Sequence, residues 1–329
     1  MDENKQCYKT ISENECIFSS GIIISAGSLY LDIDAYACCV AMRELLCMKG
    51  EKAIAFSEAN CNYSVCKSLI SEGQVFQSLP PDFRDSKYII VDVSDPDFLA
   101  DTIPLESVYS IYDHHVGFEE YWRRRIGDNS HIEFIGAAAT LIYREWKKAG
   151  LQDKISRNTA RLLIAAILDN TLYLTSSNTT QEDRITFDEL CDKANVNDRW
   201  CVAYFSEVQE SIEADLRNAL FYDIKSMQAT SILPSKIAQL CIWNSERIFN
   251  RLSEIRTWFG KSTETWMINI IDIQKKCSFF ICDDKSIQSN LESIFGITFF
   301  DGVAKLQTTL LRKEIIKIVK EVETSTNNR

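Results

Sequence analysis

Between residues 21 and 148 short runs rich in β-branched and aromatic residues alternate with amphipathic stretches, and this alternation restricts the fold more than any other feature of the chain. Gly21 to Ala26 reads as a strand, Ala35 to Met48 as a helix stopped by Gly50, and Lys52 to Phe56 as a second strand. A helical Tyr63 to Ser71 follows, then strands at Tyr88 to Val93, at Val108 to Tyr112 ending on Asp113, and at Ile132 to Ile135, before a helix from Ala137 to Lys148. Strands joined by crossover helices pair in parallel, so the expected fold class is α/β with a doubly wound, mostly parallel sheet.

From Ser156 the pattern turns helical for some sixty residues, with a capping box expected at Thr179 and Glu182. Past about Asn195 a smaller α/β unit is expected, with a mixed sheet built from strands near Lys236 to Trp243, Trp266 to Ile273 and Ser278 to Cys282, and a last helix from Thr308 to Val322. A chain of 329 residues exceeds what one core usually serves. Two domains, 1–195 with a helical connector and 196–329, are therefore expected, with the active site in the cleft between them.

A formal charge of −11 repels polyanions, which argues against long nucleic acid as a partner. The twelve cysteines include no pair at the two-residue spacing of zinc ribbons and redox motifs, so they read as small core residues of a reducing cytoplasm. The opening MDENKQ is acidic, and eighteen consecutive apolar residues occur nowhere, so neither signal peptide nor membrane span is expected. Arg123, Arg124 and Arg125 read as a solvated face, and His131 as a strand-edge residue without a role.

The chemistry-bearing residues gather at strand ends. Asp113, His114 and His115 close one apolar run and use two of the only three histidines. Asp92 closes another, and Asp32 and Asp34 end the loop after the first, with Asp34 expected to cap the helix that begins there. In a parallel sheet these ends lie along one edge, where open α/β sheets collect ligands. Asp169 interrupts the apolar helical run Leu162 to Leu168, and an ionised carboxylate buried there needs a cation or donors to compensate it. Asp32, Asp34, Asp92, His114 and Asp169 together offer oxygen ligands and one nitrogen, a set suited to one or two Mn²⁺ or Mg²⁺ ions. Two ions ~3.5–4 Å apart would share a bridging carboxylate, for which Asp92 is the choice, and a hydroxide that attacks phosphorus in line.

The ordered pieces DIDAYA at 32–37, IIVD at 89–92, YDHH at 112–115, IGAAATLIY at 135–143 and AAILDNTLYLTSSNTTQED at 165–183 resemble the DHH phosphoesterase superfamily, in the branch of family II inorganic pyrophosphatases, exopolyphosphatases and prune. Asp223-Ile224-Lys225 and Leu311-Arg312-Lys313 resemble that branch's Asp-x-Lys and Ser-Arg-Lys in a DHH-associated second domain. The resemblance implies hydrolysis of a small phosphoanhydride, with Asp92, Asp113 and His115 in the catalytic set. It further implies that His115, Lys225, Arg312 and Lys313 grip the phosphates of a small substrate.

Three positions depart from the pattern. Ser28 stands where the pyrophosphatases have a metal-binding His, Val93-Ser94 stand in place of His-Asn, and a gapless register sets Asn170 rather than Asp169 at the usual metal acid. Asp169 is preferred because an anion binds a cation better than a carboxamide does. Two alternatives stay open: a phosphodiesterase of short oligonucleotides or cyclic dinucleotides, and a non-catalytic binder of a phosphorylated ligand or protein. A homodimer is left open as well.

Overall fold

The computed structural model describes residues 21–70, 76, 79, 85–227, 232–261 and 264–327. Cys7, Cys16, Ser71 and the acidic N-terminus lie outside them. The chain divides into two compact units, up to Tyr204 and from Phe205 onward.

The first unit runs β1 (Ile22–Ser25), α1 (Ile33–Met48), β2 (Ala53–Ala55), α2 (Lys67–Ile70), β3 (Lys87–Val91), β4 (Val108–Asp113), α3 (Glu119–Ile126), β5 (Ser130–Ile132), α4 (Ala138–Lys148), α5 (Arg157–Asn170) and α6 (Gln181–Ala194). Its five strands form one sheet in the order β2-β1-β3-β4-β5 with every pairing parallel. Ile24 pairs with both Ala55 and Ile89, and Ile90 with Ile111. The strands β1, β2 and β3 are buried on both faces beyond their first residues, as continuous runs such as Tyr88-Ile89-Ile90-Val91 require. Ile23, Tyr88, Ile90, Ile111 and Trp122 centre one cluster of the core. The strand order reverses between β1 and β3, which are neighbours although β2 follows β1 in sequence. In such folds loops leaving the carboxyl ends at this point part to opposite sides; Asp92 directly follows β3, and Asp32 ends the loop between β1 and α1.

Several sequence expectations shift by a residue or more. The strand expected at Ile132 to Ile135 is Ser130–Ile132, because Tyr112 and Asp113 pair with His131 and Ile132 and the chain then bends toward α4. Asp34 does not cap α1; Asp32 does, its carboxylate accepting from the Ala35 amide at 2.9 Å. The capping box is Thr180 with Asp183 rather than Thr179 with Glu182, since α6 starts one residue later than expected. The sixty-residue helical stretch resolves into α5, α6, α7 (Asp198–Ala214, which contains the division between units) and α8 (Leu216–Tyr222). After α5, three consecutive non-glycine residues, Leu172, Tyr173 and Leu174, adopt left-handed φ of 49°, 59° and 60°.

The second unit continues with β6 (Ile224–Ser226), β7 (Lys236–Ile242), α9 (Glu246–Phe249), α10 (Leu252–Phe259), β8 (Trp266–Asp272), β9 (Cys277–Ile281), α11 (Lys285–Phe295), β10 (Val303–Leu306) and α12 (Arg312–Asn327). Its sheet has the order β10-β9-β8-β7-β6 and is mixed, with β7 and β8 parallel and the other pairs antiparallel. Ile287 and Leu291 of α11 and Ile315 and Val319 of α12 pack with Ile237, Met267 and Phe280 into one core. Among the described residues no helix is long and apolar enough to cross a membrane.

Candidate metal centre

Asp92 is set in place by backbone geometry. Its amide donates to the Tyr112 carbonyl at 2.8 Å, continuing the β3–β4 pairing one residue past β3, and its φ of 56° turns the chain sharply away. Left-handed φ is tolerated by Asp better than by most residues, and such outliers gather at functional sites. The Asp92 side chain is 4% exposed, and its Oδ1 accepts no hydrogen bond among the described residues.

His114 stands opposite. Its Nδ1 lies 3.3 Å from the Ile135 carbonyl oxygen, which can only accept, so the ring proton sits on Nδ1 and the lone pair on Nε2. That Nε2 faces Asp92 Oδ1 at 3.3 Å and Asp34 Oδ2 at 4.0 Å. Asp113 bends the next residues inward: its Oδ1 accepts from the backbone amides of His114 and His115 at 2.8 and 3.1 Å, and from His115 Nδ1 at 2.9 Å. The His115 ring is 55% exposed, and its Nδ1 is 3.9 Å from Asp92 Oδ1. Asp92, His114 and His115 each present a ligand atom within 4.8 Å of the others.

Asp34 is fully buried and reaches across to the start of α4, where its oxygens accept from the Ala138 and Ala139 amides, each at 2.8 Å. Ala137, at the N-cap of α4, has no side chain able to serve those amides, so a carboxylate about a hundred residues earlier in the chain does. The Cys38 thiol also donates to Asp34 Oδ1 at 3.4 Å. Asp169 faces the cluster from α5, and its Oδ1 accepts from the Tyr204 hydroxyl at 3.2 Å.

The electrostatics follow from crowding. Burial, then the charge of Asp32, pushes Asp34 up to about 7, although the two α4 amides and Cys38 pull the other way. Burial, then Asp32, raises Asp169 to about 7 against the Tyr204 hydrogen bond. Burial, then the nearby charges of Asp32, Asp34 and Asp113, holds Asp92 well above the carboxylate range. Asp113 is the exception: burial raises it, but the bond and charge of His115, with Ser94 and His114, outweigh burial and keep it low.

The residues therefore fit a divalent cation. A carboxylate oxygen and an imidazole lone pair face each other at 3.3 Å, and additional acids crowd the same space with too few donors. Hard oxygen donors with one imidazole match Mn²⁺ or Mg²⁺ better than a thiolate site would. Burial raises Cys38 and Cys39 further above the thiol range, so both stay protonated.

Asp32, Asp34, Asp92, Asp113, His114, His115 and Asp169 thus come together in the first unit. Ser28 turns away, its hydroxyl donating to the Phe98 carbonyl at 3.0 Å. Asn170 bonds back to Ala166 of its own helix at 3.5 Å. Lys225, Arg312 and Lys313 belong to the second unit. Lys225 and Lys313 are exposed there, whereas the Arg312 guanidinium binds Asp223 Oδ1 at 2.7 Å and the Ile237 carbonyl at 3.0 Å. The three arginines Arg123, Arg124 and Arg125 are solvent-exposed on α3. Sequence reasoning missed Tyr204, which carries no local signal, and gave no role to Asp183 and Gly136, although both lie inside the quoted pieces 165–183 and 135–143 and Asp183 belongs to the capping box read one residue early.

No protein-family model matches the chain. A Deinococcus radiodurans protein named as a probable manganese-dependent inorganic pyrophosphatase is 24% identical over 311 residues, covering 88% of this chain and 95% of the relative. The manganese-dependent inorganic pyrophosphatase of Methanothrix thermoacetophila is 23% identical over 259 residues, covering 73% and 79%. Among solved structures, a Methanococcus jannaschii protein assigned to the family II inorganic pyrophosphatases superposes with a TM-score of 0.62 at 15% identity, covering 92% of this chain and 99% of the other. An exopolyphosphatase-related protein from Bacteroides fragilis superposes with a TM-score of 0.51 at 11% identity, covering 92% and 91%. The two-sheet fold is thus that of the family II inorganic pyrophosphatase structure, and along most of its length the chain is similar in sequence to manganese-dependent inorganic pyrophosphatases, as the DHH resemblance implied.

Proposed function

We propose that this protein is a manganese-dependent phosphohydrolase that cleaves a small phosphoanhydride, with pyrophosphate the first substrate to test and short polyphosphates or nucleotide polyphosphates next. The observation that carries this reading is the confrontation of Asp92 Oδ1 with His114 Nε2 at 3.3 Å inside a cluster of acids. The names of the relatives support manganese and pyrophosphate. Asp32, Asp34, Asp92, His114 and Asp169 would hold one or two ions, with Mg²⁺ as the substitute metal. Bound there, a divalent cation supplies charge for the phosphoryl oxygens and lowers the pKa of water.

The remaining work belongs to the chain itself. Asp113 holds the His115 Nδ1 proton, which leaves Nε2 able to accept a hydrogen bond from, or once protonated donate one to, a phosphate or leaving group. Cys38 and the first amides of α4 keep Asp34 oriented. Lys225 and Lys313, with Arg312 beside them, are assigned to the substrate phosphates, and residues 196–329 to substrate binding.

Phosphate release from pyrophosphate, tripolyphosphate and a dinucleotide panel, each with Mn²⁺, Mg²⁺ or Co²⁺, tests the proposal. Turnover of the dinucleotides alone would select a phosphodiesterase instead. A second reading, binding without turnover, is favoured by Ser28, whose hydroxyl is committed to a loop carbonyl. Manganese binding with no turnover of any substrate would establish it.

A further inference from the structure

We propose that Asp183, outside the ligand set, is a positioning residue that acts on His114 through the Ile135–Gly136 peptide and on Asp34 through the start of α4. The inference rests on the metal reading above only for its affinity readout.

The geometry is a relay. His114 Nδ1 donates to the Ile135 carbonyl at 3.3 Å, and the amide at the other end of that same peptide, Gly136 N–H, donates to Asp183 Oδ2 at 2.9 Å. A carboxylate at the N–H end of a peptide polarises it and makes its carbonyl a stronger acceptor. The proton of His114 is thereby fixed on Nδ1, and the lone pair on Nε2 stays aimed at Asp92. Carboxylates commonly orient metal-binding imidazoles by direct contact; here one peptide plane stands between the two.

Asp183 is fully buried and has donors on every side. Its Oδ1 accepts from the Thr140 hydroxyl at 2.6 Å, and its Oδ2 also accepts from the Thr180 amide and hydroxyl, both at 2.7 Å. Four donors on one side chain match the lone pairs of a carboxylate, and a carboxamide could not serve them all. The Gly136 carbonyl is held from the other side by Asn178 Nδ2 at 3.3 Å. A Cβ on Gly136 would lie 2.6 Å from Asp183 Oδ2, so the close approach needs a glycine. Two and three residues on, Ala138 and Ala139 present the amides that hold Asp34. Holding the turn at Gly136 and the first turn of α4 at Thr140 thus sets two candidate ligands at once.

A capping box alone would stabilise α6 without touching His114. The distinguishing experiment compares the parent with Asp183→Asn and with the nearly isosteric Thr140→Val, which removes only the hydroxyl on Oδ1. Histidine ring ¹⁵N shifts of the metal-free protein report the tautomer of His114, and three histidines in the chain make assignment practical. Mn²⁺ titration of each variant gives the affinity.

The expected results are a shift of His114 from the Nδ1–H toward the Nε2–H tautomer and a loss of Mn²⁺ affinity of about 10–100-fold for Asp183→Asn. Thr140→Val is expected to give about a tenfold loss, which Thr140→Ser restores. An unchanged tautomer and unchanged affinity in variants that melt earlier would overturn the proposal and leave Asp183 a helix cap. If Asp183→Asn does not fold, the Thr140 pair decides by the same readouts. A parent that binds no manganese overturns the metal reading, and the metal-free tautomer comparison then decides this one by itself.

Discussion

Replacing Asp169 by Asn should have opposite effects on stability and on metal affinity. Metal-free, Asp169 titrates at about 7 instead of 3.8 because burial and the Asp32 charge oppose its ionisation. A folded-state pKa above the unfolded value means that the folded form holds the proton more tightly. The stabilisation from that proton is complete below about 4 and is lost as the pH rises through about 7. A shift from 3.8 to about 7 corresponds to at most about 4 kcal/mol. Asp169 is only half-buried, so about 1–2 kcal/mol is the expected share after discounting for solvent. Asn mimics the protonated acid and does not titrate. Metal-free Asp169→Asn should therefore match the parent only below about pH 4, begin to exceed it by pH 5, and exceed its melting temperature by about 2–8 °C at pH 8, taking about 2–4 °C per kcal/mol for a unit of this size. With saturating Mn²⁺ the order should reverse, because the variant binds the ion weakly and gains little from it. Thermal melts at pH 5, 6, 7 and 8, with and without manganese, check both statements. A metal-free variant less stable than the parent at pH 8, or a difference that does not grow with pH, would refute the assignment of a buried, cation-seeking carboxylate to this position.

Two more outcomes are expected. Asp92→Asn keeps a residue that tolerates a φ of 56°, so the fold should persist while Mn²⁺ affinity falls on the order of a hundredfold or more; metal titration beside circular dichroism checks this. Arg312→Lys gives up the fork that joins Asp223 to the Ile237 carbonyl and should cost about 1–3 kcal/mol in urea unfolding of the intact chain. No loss in that variant would mean that the guanidinium is free to serve substrate alone.

The parallel sheet of the first unit was legible because β1, β2 and β3 are buried on both faces beyond their first residues and read as unbroken apolar runs, and the strand-end acids were legible because such ends share an edge. Boundaries were less so. Asp32 and Asp34 are both plausible caps by spacing, and the choice between them was made by α4, whose amides claim Asp34 from about a hundred residues away. Thr180 and Asp183 were missed by one position because Thr179 and Thr180 offer the same hydroxyl, and only the start of α6 distinguishes them. Asp169 was separable from Asn170 on charge alone, whereas the Tyr204 bond that meets it is set by tertiary packing and leaves no trace in local sequence. In the second unit, β6 and β10 are three and four residues long, too short for an alternating pattern to stand out.

The run of left-handed residues at Leu172, Tyr173 and Leu174 has a consequence for how mutations read out. Each costs on the order of 1 kcal/mol, so the chain does not move this reversed coil to a neighbouring position without re-spending that strain on residues that do not fit it. With Ser156 fastening the other end of α5, the helix has no slack along its axis. A single-residue deletion inside it would have to undo one of these two fastenings, the Ser156 cap or the reversed coil, so it should cost stability whichever end gives way.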